Sequence, residues 1–131
     1  MMRFVFAAPL IGHGLAHLSG AIASWSSNLE GFSDRPWILS SGITLQSAIG
    51  RAFGLLWLVA LVGFVGTGLG LVFRQEWWPV LAIPAAAISL VAIIPWWKTV
   101  PPGAWVGAAF DLLLIIILLL PLKDRILDIV R

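Results

Sequence analysis

Four apolar runs, each close to the length that crosses a lipid bilayer, leave this chain few folds to choose from. They cover about residues 3–24, 51–73, 77–97 and 104–120, with a loop at 25–50, two short polar turns and a charged tail at 122–131. About 20 consecutive apolar residues make a helix long enough for the hydrocarbon layer. Inside that layer a helix satisfies its own backbone hydrogen bonds, which is why it is a stable way across. Only 11% of the residues are charged, against about a quarter in a soluble domain. Mean hydropathy is +1.02. The expected fold is therefore all-α, an integral membrane four-helix bundle of up-down topology, with the lipid bilayer as its main partner.

Charge then orients the bundle. An even number of spans puts both termini on one side. The termini and the second turn carry Arg3, Arg74, Lys123, Arg125 and Arg131, whereas the other side carries Arg35, Arg51 and Lys98. The positive-inside rule makes the first side cytoplasmic, so the expectation is a multi-pass protein of the plasma or bacterial inner membrane with both termini inside. A net charge of +2 without a basic cluster gives no reason to expect nucleic acid. The absence of Cys excludes disulfides, thiolate metal sites and thiol redox chemistry. Ala21-Ile-Ala23 resembles a signal-peptide cleavage site, but a secretory apolar core is usually ~7–15 residues. The first run is longer and contains two His, so it reads as a retained span.

Within that run, His13 and His17 lie one helical turn apart and share a face. Gly12, Ala16 and Gly20 form a small-residue ladder that would let another helix approach. The glycines of the second run, Gly66-x-x-x-Gly70 among them, read as helix packing. In the loop, Trp37, Ile38 and Leu39 are apolar residues in polar surroundings and should lie back on the bundle mouth. Trp pairs bracket the third run as interface anchors.

Ionisable groups at membrane depth usually face the bundle interior and are functional candidates. His17 lies eight residues before Trp25, and Asp111 lies eight after Gly103, at the same end of the bundle. At ~1.5 Å per residue, both sit roughly 12 Å inside the boundary. The expected polar site is His13, His17 and Asp111, with His17 or His13 sharing a hydrogen bond with Asp111 directly or through one water, and with Ser89 and Arg51 as contributors, although Ser89 otherwise reads as a packing serine. If His17 pairs with Asp111, Asp111→Leu should hurt less than His17→Leu, which strands a carboxylate.

The segment His13-Gly-Leu-Ala-His17-Leu-x-Gly20, followed by Gly54-Leu-Leu-Trp57, Trp77-Trp78, Ser89 and Asp111, resembles a group of small bacterial four-helix membrane proteins of unassigned activity. That group tends to have Asn where Asp111 stands here. The layout is more distantly similar to DoxX-like proteins. The resemblance implies the four-helix fold and no particular chemistry.

Function is less constrained. The first expectation is a structural or accessory membrane protein whose polar groups clamp helices together, more readily a non-enzyme than an enzyme, in a homo-oligomer or larger membrane complex. The alternatives are passage of protons or a small solute along a His–Asp relay, or a ligand-binding protein using His13 and His17. No cofactor is expected. Haem, pigment and metal remain the alternatives, with His13, His17 and Asp111 as metal ligands. Two His at this spacing cannot take opposite faces of one haem iron, and the chain has no third His.

Overall fold

A computed structural model describes residues 1–26, 33–99, 103–120 and 128. It contains α1 (Met2–Ala23), α2 (Ala48–Val72), α3 (Trp78–Ile93), a 3₁₀ turn (Ile94–Trp96) and α4 (Gly103–Leu119), and no strand among the described residues. The stretches Met2–Ala23, Ala48–Val72 and Trp78–Trp96 are long and apolar enough to cross a membrane. Helix α4 is equally apolar but has 17 residues. The tail expected at 122–131 lies, Asp128 aside, outside the described residues.

Local chemistry sets the helix limits. Helix α2 begins earlier than residue 51 because Ser47 is an N-cap. Its hydroxyl oxygen accepts the Gly50 N–H at 3.2 Å, satisfying a donor that the first turn leaves open. Helix α3 ends at Ile93 rather than 97. Pro95 brings no N–H to continue the ladder, and the chain tightens into the 3₁₀ turn. At the other end of α2, Arg74 adopts φ 56°. The Gln75 and Arg74 amides bond back to the carbonyls of Gly70 and Leu71 at 2.8 and 3.2 Å, which closes the helix in the manner of a Schellman cap.

Helix α1 packs on α2, α2 on α3 and α3 on α4, with no comparably close packing between α1 and α4. Two apolar cores form. One, toward the short α2–α3 turn, contains Ala7, Leu10, Phe64, Leu71, Trp78 and Leu118. The other, toward the long loop, contains Ala21, Leu45, Trp57, Ala92 and Trp96. The described part of the loop is tied to both helix ends there. The Trp37 N–H donates to Pro95 O at 3.1 Å, and its indole N–H donates to Ile94 O. Gln46 Nε2 donates to Ala23 O and Ser26 O at 3.1 and 3.3 Å. Trp37 thus sits on the α3 terminus, while Ile38 stays exposed.

The small-residue ladder of α1 needs correcting. Gly12 has nothing near the position a Cβ would take, and Ala16 is exposed. The close approach to α2 is at Gly14, where a Cβ would lie 2.9 Å from Phe64 Cβ and 3.1 Å from Leu61 O. Gly20 contributes too, lying against the Trp57 ring. Gly12 is rotated away because the helix turns its His face, not its ladder, inward. Gly63 and Gly70 of α2 meet Ala85 and the Trp77–Trp78 pair, so that part of the glycine cluster serves α3. Gly12→Ala should leave thermal stability unchanged in detergent, whereas Gly14→Ala should lower it by on the order of 1–3 kcal/mol through overpacking against backbone. Equal melting temperatures for the two variants would show that α1 does not seat on Gly14.

Candidate functional site

His13 and His17 of α1, Ser89 of α3 and Asp111 of α4 meet between the two cores. His13 Nε2 lies 2.9 Å from Asp111 Oδ1. Ser89 Oγ donates to Asp111 Oδ2 at 2.5 Å and lies 2.9 Å from His17 Nε2. A hydroxyl has one hydrogen, and with Asp111 ionised Ser89 directs it at the carboxylate. The bond to His17 therefore runs the other way, with His17 Nε2–H donating to Ser89 Oγ. Asp111 accepts at both carboxylate oxygens, so an ionised Asp111 takes the His13 Nε2 hydrogen as well. The chain of bonds is His17 to Ser89 to Asp111, closed from the far side by His13.

Burial makes this network structurally demanding. Ser89 and Asp111 are 0% exposed and His17 is 5% exposed. Their neighbours on α3 are Ala85, Ala86 and Ala92, also buried, and these small side chains bring α3 close to its partners. The imidazoles stand edge to face at 4.7 Å. Phe64 supports both rings, and Phe110 lies against His13. A buried polar group is tolerated when its hydrogen bonds are made and is costly when they are not. Here every Nε2, hydroxyl and carboxylate oxygen of the four residues has a partner, whereas neither Nδ1 has one among the described residues.

Depth counting puts His17 level with Asp111 and leaves His17 or His13 as its hydrogen-bond partner. In the structure His13 is the direct partner, and His17 reaches the carboxylate only through Ser89. The serine is the hub, not a packing residue. The counting rule could have found it, since Ser89 lies eight residues before Trp97, the same offset as His17 from Trp25. Arg51 does not join the site: it is exposed in the first turn of α2, on a helix whose contribution here is the Phe64 ring. Ser19 is also outside the network, its hydroxyl donating to Ala16 O at 2.7 Å.

The arrangement differs from two others that the same residue types can form. In a Ser–His–Asp nucleophile the imidazole stands between serine and carboxylate and takes the serine proton. Here the serine stands between them and gives its hydrogen to the carboxylate. The metal triad His13, His17 and Asp111 is not formed either, and no group of three metal-ligating side chains converges among the described residues. The reason is geometric: His13 and Asp111 point at each other, and Ser89 separates His17 from the carboxylate.

Beside the network, where α1 and α4 stand apart, lies a cavity of about 710 Å³. His13, His17, Trp57, Ile93, Trp96 and Gly107 line its inner part, and the half-exposed Leu15 and Val106 its mouth. Among the described lining residues none is Lys, Arg, Asp or Glu. A smaller cavity of about 180 Å³, toward the other core, is lined by aliphatic and aromatic side chains such as Leu10, Phe110 and Leu114. No protein-family model, curated protein or solved structure matches the chain, so a functional reading rests on this geometry.

Proposed function

We propose that the chain is a multi-pass membrane protein, an up-down four-helix bundle of the inner membrane with both termini cytoplasmic, whose side crevice binds a small lipid-soluble molecule against the His–Ser–Asp–His network. The observation that carries this reading is the crevice itself. A set of polar groups that only clamps helices together needs no open space beside it. Here a cavity of about 710 Å³ reaches both imidazoles, and its mouth lies between two apolar helix faces, where a bilayer would supply ligands laterally. Pockets of roughly 300–1,000 Å³ with a few convergent polar groups are typical of small-molecule sites.

Two further points favour membrane placement and binding. Helix α4, at 17 residues, is ~25 Å long, the short end of what crosses a bilayer, and Trp105 near its start would sit at the interface. Passage of protons or solute is disfavoured, because among the described residues the cavity beyond His13 and Asp111 is lined by apolar side chains such as Leu10 and Phe110. A proton relay that reaches the network from the crevice meets no polar side chain in the lining of that cavity among the described residues.

Reporter fusions after Leu45 and after Arg74 should read opposite sides of the membrane; the same side for both would end the topology. For binding, Ala16 lines the crevice mouth and is exposed, so Ala16→Phe fills the mouth without disturbing the network. Native mass spectrometry of the purified protein should detect a saturable one-to-one adduct with a single-chain amphiphile, weakened about tenfold or more in Ala16→Phe. An adduct indifferent to this substitution would place the ligand elsewhere. A visible absorption band or bound metal by elemental analysis would point to pigment or metal binding instead.

A further inference from the structure

Each imidazole of the network leaves one nitrogen unused, and both rings line the crevice. With Asp111 ionised, His13 holds its hydrogen on Nε2 for Asp111 Oδ1, and His17 holds its own on Nε2 for Ser89 Oγ. A neutral imidazole protonated at Nε2 has a bare lone pair at Nδ1, so the two rings carry two spare acceptors and no spare donor. Neither Nδ1 is sealed in. Among the described residues, the side-chain nitrogens and oxygens that are both buried and unpartnered are Arg3 Nε, Trp96 Nε1 and Thr99 Oγ1. The two Nδ1 atoms are unpartnered but do not belong to that set, so each keeps contact with open space. For His13 the cause is on α4. A Cβ at Gly107 would lie 3.2 Å from His13 Cε1 and 3.9 Å from its Nδ1, so glycine at that position leaves this edge of the ring uncovered.

Two acceptors call for a ligand with two donors, and charge decides which kind. The polar partners of Asp111 are His13 and Ser89, and no Lys or Arg pairs with it among the described residues. With both imidazoles neutral, the network holds one negative charge and no cation, a costly state away from water. Each hydrogen bond leading back to the carboxylate polarises its ring and strengthens the acceptor at Nδ1. A carboxylate or phosphate ligand would meet two lone pairs and a like charge. A metal ion would find two nitrogens and no third ligand among the described residues. An ammonium group supplies both the missing charge and the hydrogens. The ring centroids are 4.7 Å apart, and one nitrogen donating to two acceptors at ~2.9 Å each bridges a gap of that order.

We propose that the crevice takes a single-chain alkylammonium whose nitrogen donates one hydrogen to His13 Nδ1 and one to His17 Nδ1. This assignment rests on the crevice being a ligand site and adds the headgroup to it. The alkyl chain lies along the apolar mouth formed by Leu15, Leu18 and Val106. Asp111 does not touch the ligand. It is a positioning residue that keeps both ring hydrogens on Nε2, directly for His13 and through Ser89 for His17.

The test is equilibrium binding of radiolabelled dodecylamine, near neutral pH, to the full chain in phosphatidylcholine nanodiscs. Affinities are referred to the mole fraction of each compound in the lipid, measured with empty nanodiscs, so that unequal partition drops out. Binding should saturate at one molecule per chain. N-methyldodecylamine keeps two N–H bonds and should compete as well as dodecylamine. Dodecyltrimethylammonium keeps the charge without N–H, dodecanol keeps a donor without charge, and each should compete about tenfold or more worse. Asp111→Asn removes the charge and puts a hydrogen on one Nδ1, so it should erase the advantage of dodecylamine over dodecanol. His17→Leu removes one acceptor and should weaken dodecylamine more than dodecyltrimethylammonium. In wild-type protein with labelled histidine, dodecylamine should shift both Nδ1 resonances and leave both Nε2–H groups in place. Dodecyltrimethylammonium, dodecanol or laurate competing as well as dodecylamine overturns the headgroup assignment while the crevice remains a binding site. An unchanged preference in Asp111→Asn, or a shift of only one Nδ1, does the same. If no compound of the series binds above empty nanodiscs, the binding reading falls and the headgroup with it.

Discussion

Ser89→Ala, the loss of one oxygen, should destabilise the protein by on the order of 3 kcal/mol. An interhelical hydrogen bond between side chains in a membrane protein averages only about 0.6 kcal/mol, so a single lost bond would not do this. Ser89 makes two, and both partners are buried: Asp111 Oδ2 at 2.5 Å and His17 Nε2 at 2.9 Å. Alanine leaves each without a partner, and an unsatisfied buried group costs about 1–3 kcal/mol, more if charged. Stranding two groups is what makes the change large. Ser19→Ala is the control. Its hydroxyl bonds only to Ala16 O in its own helix, and the change should stay within about 0.5 kcal/mol. Unfolding free energies in mixed micelles would compare the two. A double-mutant cycle of Ser89→Ala with Asp111→Leu should be strongly sub-additive, because the second change removes a group that the first leaves unpaired. Equal costs for Ser89→Ala and Ser19→Ala would mean that Ser89 does not bridge the helices.

The same network reverses an ordering that the sequence alone suggests. If His17 bonded Asp111 directly, His17→Leu would strand a carboxylate and would be the costlier change. In the structure Asp111 keeps His13 and Ser89 when His17 is gone, and only the serine lone pair loses its donor. His17→Leu should therefore be the milder substitution for stability, even though His17 lines the crevice.

What was legible in the sequence was set by local rules. Apolar run length placed all four helices to within a few residues, and the misses trace to a cap and a proline. Ser47 starts α2 three residues before Arg51, and Pro95 converts the end of α3 into a 3₁₀ turn. Depth counting identified residues at one level of the bundle, because rise per residue is nearly constant in a helix. Level is not azimuth. Which of two histidines on one face meets the carboxylate depends on how α1 rotates against α2. That rotation is fixed by Gly14 seating on Phe64 and Leu61, a contact no spacing rule announces. Ser89 was obscured for a similar reason. Among Ala85, Ala86 and Ala87 a serine looks like one more small packing residue, and only the convergence of α1 and α4 on α3 reveals its two partners. The crevice was not legible at all, since it is a gap between helices distant in sequence.

Asp111→Asn should force one of the two imidazoles to change tautomer while leaving the fold intact. The argument is a count of donors and acceptors. As a carboxylate, Asp111 offers two acceptors, one met by His13 Nε2–H and the other by Ser89 O–H. An asparagine amide in the same place offers one acceptor and one donor group. With its oxygen toward His13, its NH₂ donates to Ser89. The serine hydrogen then turns to His17 Nε2, and His17 moves its own hydrogen to Nδ1. With the amide flipped, the serine and His17 stay as they are, while the NH₂ faces His13 Nε2, which must become an acceptor. In neither arrangement do both histidines keep Nε2–H. Nitrogen NMR on protein with labelled histidine should show two Nε2–H imidazoles in the wild type and one Nε2–H with one Nδ1–H in the variant. The substitution is nearly isosteric and every polar atom finds a partner, so stability should change by less than about 1.5 kcal/mol. If the tautomer that changes is that of His17, its crevice edge turns from acceptor to donor. Two unchanged Nε2–H signals in the variant would mean that Asp111 does not set the hydrogen positions.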